Sequence, residues 1–108
     1  IGYDGLGYVT PDQKMLGVAR DAAGPYVLPS IETVNDGSYP VSRSLYLYVK
    51  KAHVGAIPGI QEYLAEFTSD KADGEEGYLT EKGLIPMPEA ERAKFRQDAR
   101  LLTPMSAL

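Results

Sequence analysis

The sequence predicts an α/β chain, and three observations carry that prediction. Residues Ser44 to Lys50 alternate bulky apolar side chains at a period of two, the pattern of a strand. Ile57, Ile60, Leu64 and Phe67 recur at helical spacing and form one stripe. Along the chain the expected order is strand, strand, short helix, strand, helix, helix, helix, so strands alternate with helices before the helices take over.

The first strand is expected over Ile1 to Val9. Tyr3, Tyr8 and Val9 favour a pleated backbone, while Gly5 and Gly7 weaken it or let another backbone approach. Thr10-Pro11-Asp12 reads as a turn, Lys14 to Arg20 as a second short strand, and Asp21 to Pro25 as a loop. Leu28-Pro29-Ser30 reads as a helix entrance, with Ser30 able to cap and Glu32 suited to the positive end of the helix dipole. Asn35-Asp36-Gly37 is a strong stop, so that helix must be short. In the third strand, Leu45, Leu47 and Val49 share one face and Tyr46 and Tyr48 the other. Both faces are apolar, which places it inside a sheet covered on both sides. Lys50 and Lys51 end it in solvent. The helix over Ile57 to Ser69 turns Glu62 and Glu66 away from its stripe. Residues 70–83 are broken by Gly74 and Gly77, with one short helix expected around Tyr78 to Lys82 and Gly83 as its left-handed stop. Pro88 and Glu89 open a last helix that runs to about Leu102. Its stripe of Phe95, Ala99 and Leu102 is thin, as on a surface helix.

Composition narrows the function. The 108 residues amount to one domain at most, 44% are hydrophobic and 24% charged, and 11 basic residues against 15 acidic ones give a net charge of −4. An acidic balance argues against general binding to nucleic acid or to an anionic membrane surface. Without cysteine there is no disulfide and no thiolate chemistry. No apolar run approaches the ~20 residues that span a bilayer. The chain opens at Ile1 inside a strand-like segment, without Met or a signal sequence, and is expected to be processed or truncated.

Few residues carry recognisable chemistry. Gly2, Gly5 and Gly7 spell G-x-x-G-x-G, and Thr10-Pro11-Asp12 interrupts where a nucleotide-binding helix would start. His53 is the sole histidine, and neither a nucleophile elbow nor a cluster of metal ligands accompanies it. Glu75, Glu76, Glu89 and Glu91 read as solvated surface charge. The best ligand candidates are Ser38, Ser42 and Arg43, in the run Ser38-Tyr39-Pro40-Val41-Ser42-Arg43-Ser44, because hydroxyls beside a guanidinium suit an oxyanion. The competing reading is a polar segment that enters a buried strand. No cofactor, no metal site and no catalytic group is assigned, so the chain is not read as an enzyme.

At this segment the sequence becomes familiar. Asp36-Gly37-Ser38-Tyr39-Pro40-Val41-Ser42-Arg43-Ser44-Leu45-Tyr46-Leu47-Tyr48-Val49 resembles the D-G-x-Y-P-[IL]-S-R-P-L-x-[IF]-Y-V block of bacterial periplasmic phosphate-binding proteins. Ile1-Gly2-Tyr3 with Gly7-Tyr8 is similar to that family's glycine-rich strand, and Leu28-Pro29-Ser30 with Glu32-Thr33-Val34 to its P-S-x-E-T-V helix entrance. Gly59 to Ser69, Gly77-Tyr78-Leu79 and Gly83-Leu84-Ile85-Pro86 resemble its final region. The likeness covers nearly the whole chain, and Ser44 departs from it where the family usually has proline.

The resemblance implies the C-terminal portion of a type II periplasmic-binding-protein fold. Its parts would be the end of one lobe over about 1–38, a return crossing over about 39–50, and terminal helices over about 54–102. It also implies that the full protein captures inorganic phosphate in the periplasm and delivers it to the membrane permease of an ABC importer. The family's main phosphate contacts lie earlier than the residues matched here, so this chain alone is expected not to bind phosphate. Its unpaired strand edges imply either self-association, as a strand-exchanged homodimer, or packing on the missing N-terminal part. The alternatives are a solute-binding protein for another oxyanion, such as sulfate, molybdate or tungstate, and a non-catalytic structural or interaction module.

Overall fold

The computed structural model describes residues 1–106. The chain divides into two units, Ile1–Tyr46 and Leu47–Leu108. Each is built on a different principle.

The first unit is turns and one short helix. Where the first strand is expected, Leu6–Tyr8 form a single 3-10 turn, with Tyr8 N–H donating to Gly5 C=O at 2.9 Å. Asp4 Oδ1 accepts the Gly5 N–H at 2.8 Å, so a short acidic side chain competes with any ladder for the backbone. The Thr10–Asp12 turn forms as expected: Gln13 N–H reaches Thr10 C=O at 3.0 Å. The second expected strand shrinks to one antiparallel bridge, Val18 to Val27, closed by reciprocal bonds of 2.9 and 3.0 Å. Asp21 folds the intervening loop by accepting the N–H groups of Ala23 and Gly24, each at 2.8 Å.

Helix α1 (Ile31–Asn35) starts and stops where the residues dictate. Ser30 Oγ accepts the Thr33 N–H at 3.0 Å while Thr33 Oγ1 accepts the Ser30 N–H at 2.9 Å, a reciprocal capping box. Asp36 closes the last turn onto Glu32 C=O at 2.9 Å, and Gly37 follows at φ +77°, a left-handed conformation that favours glycine. Arg20 Nη2 donates to Gly37 C=O at 3.1 Å and ties the loop to this stop. No residue of the unit is buried.

The third expected strand does not form. Residues 44–50 carry no helix, turn or ladder, and all of them are exposed. Among the described residues there is no named strand; the β structure is two isolated bridges, the second being Val54 to Ile57. A strand satisfies its backbone only across a neighbouring strand, so alternation alone cannot produce one.

The second unit is helical. After a 3-10 turn at Lys51–His53, helix α2 runs over Ile60–Phe67. It begins three residues later than its apolar stripe suggests. Pro58 disfavours the helical region for Ile57, and Gly59 takes φ +90° ahead of the first turn. Leu64 is buried, and Tyr63 stacks on Phe67 with ring centroids 6.1 Å apart. A helix not anticipated, α3 (Asp70–Asp73), follows at once. Gly74 and Gly77 then break the chain as expected, for a steric reason: a Cβ would lie 2.3 Å from Asp70 C=O at the first and 2.3 Å from Ala72 C=O at the second. Helix α4 (Tyr78–Glu81) ends at Gly83, φ +103°. Helix α5 (Glu89–Leu101) follows Pro88 and closes at Leu102.

Helix α2 packs on α3 and α5, and α3 on α4. Among the described residues Leu64, Ala72 and Pro86 are buried apolar side chains, with Gly74 and Gly77 buried beside them. The α5 stripe is as thin as its sequence implies, with Phe95 exposed. The residue α5 buries is instead Arg92, 7% exposed.

Candidate functional site

The three oxyanion candidates lie just beyond α1. Ser38 N–H donates to Asp36 Oδ1 at 2.8 Å, and the Ser38 hydroxyl reaches Thr33 C=O at 3.5 Å. The Ser38 side chain, and then its backbone N–H, hold the Asp36 carboxyl below its ordinary range. Ser42 Oγ donates to Tyr39 C=O at 3.2 Å. Tyr39 N–H in turn closes onto Thr33 C=O at 2.9 Å. Both hydroxyls are therefore engaged locally, that of Ser38 beside the Asp36 carboxylate and the Thr33 carbonyl and that of Ser42 on the Tyr39 carbonyl, in the turn that leaves α1. Arg43 is exposed, and no hydrogen bond or ion pair of it occurs among the described residues. Two of the three candidates thus share one braced turn, and Arg43 does not converge with them on a ligand cradle.

His53 is exposed in its 3-10 turn. It borders an open groove of about 250 Å³ whose apolar wall is Leu47, Val49, Ile60, Tyr63 and Leu64. Among the described residues no group of His, Asp or Glu could hold a metal ion. Glu75, Glu76, Glu89 and Glu91 are exposed, as their polar surroundings imply.

The most developed polar arrangement of the second unit is one the sequence reading did not single out. Asp70 Oδ1 accepts Arg96 Nη2 at 2.6 Å and lies 3.7 Å from Arg92 Nε. Arg96 Nε donates to Thr68 C=O at 2.7 Å, and Arg92 Nη1 to Met87 C=O at 2.6 Å. The two guanidinium groups, one helical turn apart on α5, pin the end of α2, the start of α3 and the approach to α5. Asp73 lies within their field. Burial pushes its carboxyl above the ordinary range, Arg96 and Arg92 oppose that, and Asp70 adds to it. Asp73 Oδ1 and Arg92 Nε are buried without a hydrogen bond among the described residues. The i, i+4 spacing of Arg92 and Arg96 was the available signal; their acidic partner sits more than twenty residues upstream, where no local pattern points to it. The arrangement can hold helices together. It presents no nucleophile beside a base.

No helix among the described residues is long and apolar enough to cross a membrane. A family model described as a PBP superfamily domain matches residues 2–71. Among curated relatives, the phosphate-binding protein PstS of Pseudomonas aeruginosa is 32% identical over 88 residues, covering 82% of this chain and 27% of its own length. Protein SphX of Synechocystis is 34% identical over 93 residues, covering 82% of this chain and 26% of its own. The phosphate-binding protein PstS of Staphylococcus saprophyticus is 27% identical over 93 residues, at 84% and 28%. The chain thus spans about a quarter of the length of the relatives it matches. No solved structure gives a significant match. With the family model covering well over half of the residues, the chain belongs to the PBP superfamily.

Proposed function

We propose that this chain is the C-terminal part of a two-lobed, extracytoplasmic phosphate-binding protein that hands its ligand to the permease of an ABC importer. The observation that carries the reading is the run from Asp36 to Val49, which lies inside the matched family region and joins a helix stop, a braced turn and a two-faced apolar segment in one order. In this reading residues 1–38 end one lobe of a type II α/β fold, 39–50 cross back between lobes, and 54–102 are terminal helices. The chain supplies no catalysis.

The anion is held by residues outside the chain. Capture of a dehydrated phosphate takes several converging N–H and hydroxyl donors, as at a helix N-terminus. Here the hydroxyls of Ser38 and Ser42 are already turned onto Thr33 and Tyr39. They and Arg43 are read as structural.

Isothermal titration with inorganic phosphate tests this. The 108-residue chain should give no binding heat, and the longer gene product should bind in the micromolar range or tighter (a Kd of 1 μM corresponds to about −8 kcal/mol). Micromolar binding by the chain itself would sink the assignment of the site to other residues. A longer product that ignores phosphate and takes up sulfate or molybdate would replace the ligand while leaving the transport class in place.

A further inference from the structure

An Asp-Gly step is prone to rearrange by itself, because glycine has no Cβ to keep its nitrogen from the preceding carboxyl. The chain holds three such steps, Asp4-Gly5, Asp36-Gly37 and Asp73-Gly74. We infer that Asp4-Gly5 is a modification site, where the chain converts its own backbone to isoaspartate, and that the fold holds the other two steps inert. The inference is independent of the ligand proposed above.

The chemistry needs only water. The Gly5 nitrogen attacks Asp4 Cγ in the neutral carboxyl form. An N–Cγ bond forms, a Cγ–O bond breaks, and the hydroxyl leaves with the N–H proton as water, giving a five-membered succinimide. Water then adds to one of the two ring carbonyls. Opening at Cγ restores aspartate; opening at the backbone carbonyl leaves the chain running through Cγ, one carbon longer. Overall no atom is gained or lost, and nothing is oxidised or reduced. The extra carbon would displace the Leu6–Tyr8 turn, which closes on Gly5 C=O.

The backbone separates the three steps. At the first, the Gly5 N–H donates to Asp4 Oδ1 at 2.8 Å, so the nucleophile already lies against the carboxyl it attacks, and both residues are exposed to water. At the second, the carboxyl is turned past the attacking nitrogen, and Asp36 Oδ1 accepts the Ser38 N–H at 2.8 Å. Asp36 sits at ψ −5°, which leaves the Gly37 nitrogen well away from the eclipsed position beside Cβ that ring closure requires. Asp36 N–H on Glu32 C=O at 2.9 Å and Arg20 Nη2 on Gly37 C=O at 3.1 Å hold both sides of that bond. The Ser38 side chain, and then its N–H, also keep this carboxyl ionised, and the ionised form does not expel water. At the third, the nitrogen itself is taken. Gly74 is buried, its N–H donates to Asp70 C=O at 3.0 Å, and Asp73 is the last residue of α3, so ring closure would break that helix. Burial favours the neutral Asp73 carboxyl, but no nitrogen is free to meet it.

Prolonged incubation of the 108-residue chain at neutral pH in oxygen-18 water tests the inference, because each succinimide hydrolysis leaves one heavy oxygen at the residue that formed the ring. Cleavage at Lys14, Arg20, Arg43, Lys71 and Lys82 puts the three steps in separate tryptic peptides for mass spectrometry. Asp4 should take up label, with isoaspartate as product, roughly tenfold faster than Asp36 or Asp73, the factor for one hydrogen bond that must break on the way to the ring. In guanidinium chloride the three rates should converge. Asp4→Glu lengthens the side chain beyond a five-membered ring; it should abolish label at residue 4 and leave the other two peptides unchanged. Equal rates in the folded chain overturn the inference, as does label led by Asp36 or Asp73. So does an Asp4 lead that persists undiminished in denaturant, which would trace it to neighbouring residue types rather than to the fold.

Discussion

Residues 1–46 and residues 47–106 turn their sequence periodicities into structure to different degrees. In the first unit, expected strands give way to a 3-10 turn and a single bridge, and nothing is buried. In the second, four helices form and hold Leu64, Ala72 and Arg92 away from water. A helix closes its hydrogen bonds within its own residues, whereas a strand needs a partner for every ladder bond. Segments with helical periodicity therefore keep their structure here, and segments with strand periodicity do not.

The contrast can be broken most sharply at Leu64. Leu64→Ala truncates the largest buried apolar side chain of the described residues and should cost about 2–5 kcal/mol. Loss of the helical signal at 222 nm at ambient temperature, with the first unit's exchange rates unaltered, is the expected result. Gly77→Ala comes next. Its Cβ would sit 2.3 Å from the Ala72 carbonyl, and the rearrangement should cost at least ~1–3 kcal/mol, read as a lower urea midpoint. Ser30→Ala removes half of the capping box and should weaken α1 by ~1 kcal/mol. Exchange at Thr33 and Val34 should quicken while helices α2 to α5 stay unchanged, so this variant sharpens the comparison from the other side.

The smallest effect is expected at Asp73. Its folded carboxyl titrates above the ordinary value of 3.8, with burial as the main cause. Between the unfolded and the folded value the native state holds the proton more tightly, so stability falls as pH rises through that window. Asp73→Asn should therefore raise the urea midpoint modestly at pH 7, and the gain should vanish below about pH 3.8. An equal gain at every pH would show that the carboxyl charge is not what matters there.

Much of this was legible in the residues. Asn35-Asp36-Gly37 marked the end of α1, Gly83 the end of α4, and Leu64 with Phe67 the inner face of α2, because caps, left-handed stops and i, i+3 spacing act over one or two turns. The start of α2 lies three residues past the start of the apolar stripe because Pro58 and Gly59 delay its first turn. Helix α3 is not legible in the residues because four positions bounded by Ser69 and Gly74 carry no periodicity. The candidate site was half legible. Ser38, Ser42 and Arg43 stood out by type, but sequence cannot tell a hydroxyl aimed at a ligand from one turned onto Thr33 or Tyr39.

The sequence by itself determined where α1 begins and ends, where α4 stops and where α5 starts, the acidic and cysteine-free character of the chain, and its family-like order of blocks. These depend on local hydrogen bonding, on side-chain type and on counting. Only the tertiary structure decided that Arg92 and Arg96 would close on Asp70 and that residues 44–50 would stand exposed. Those outcomes depend on which distant residues come within a few ångströms, and no local pattern carries that information.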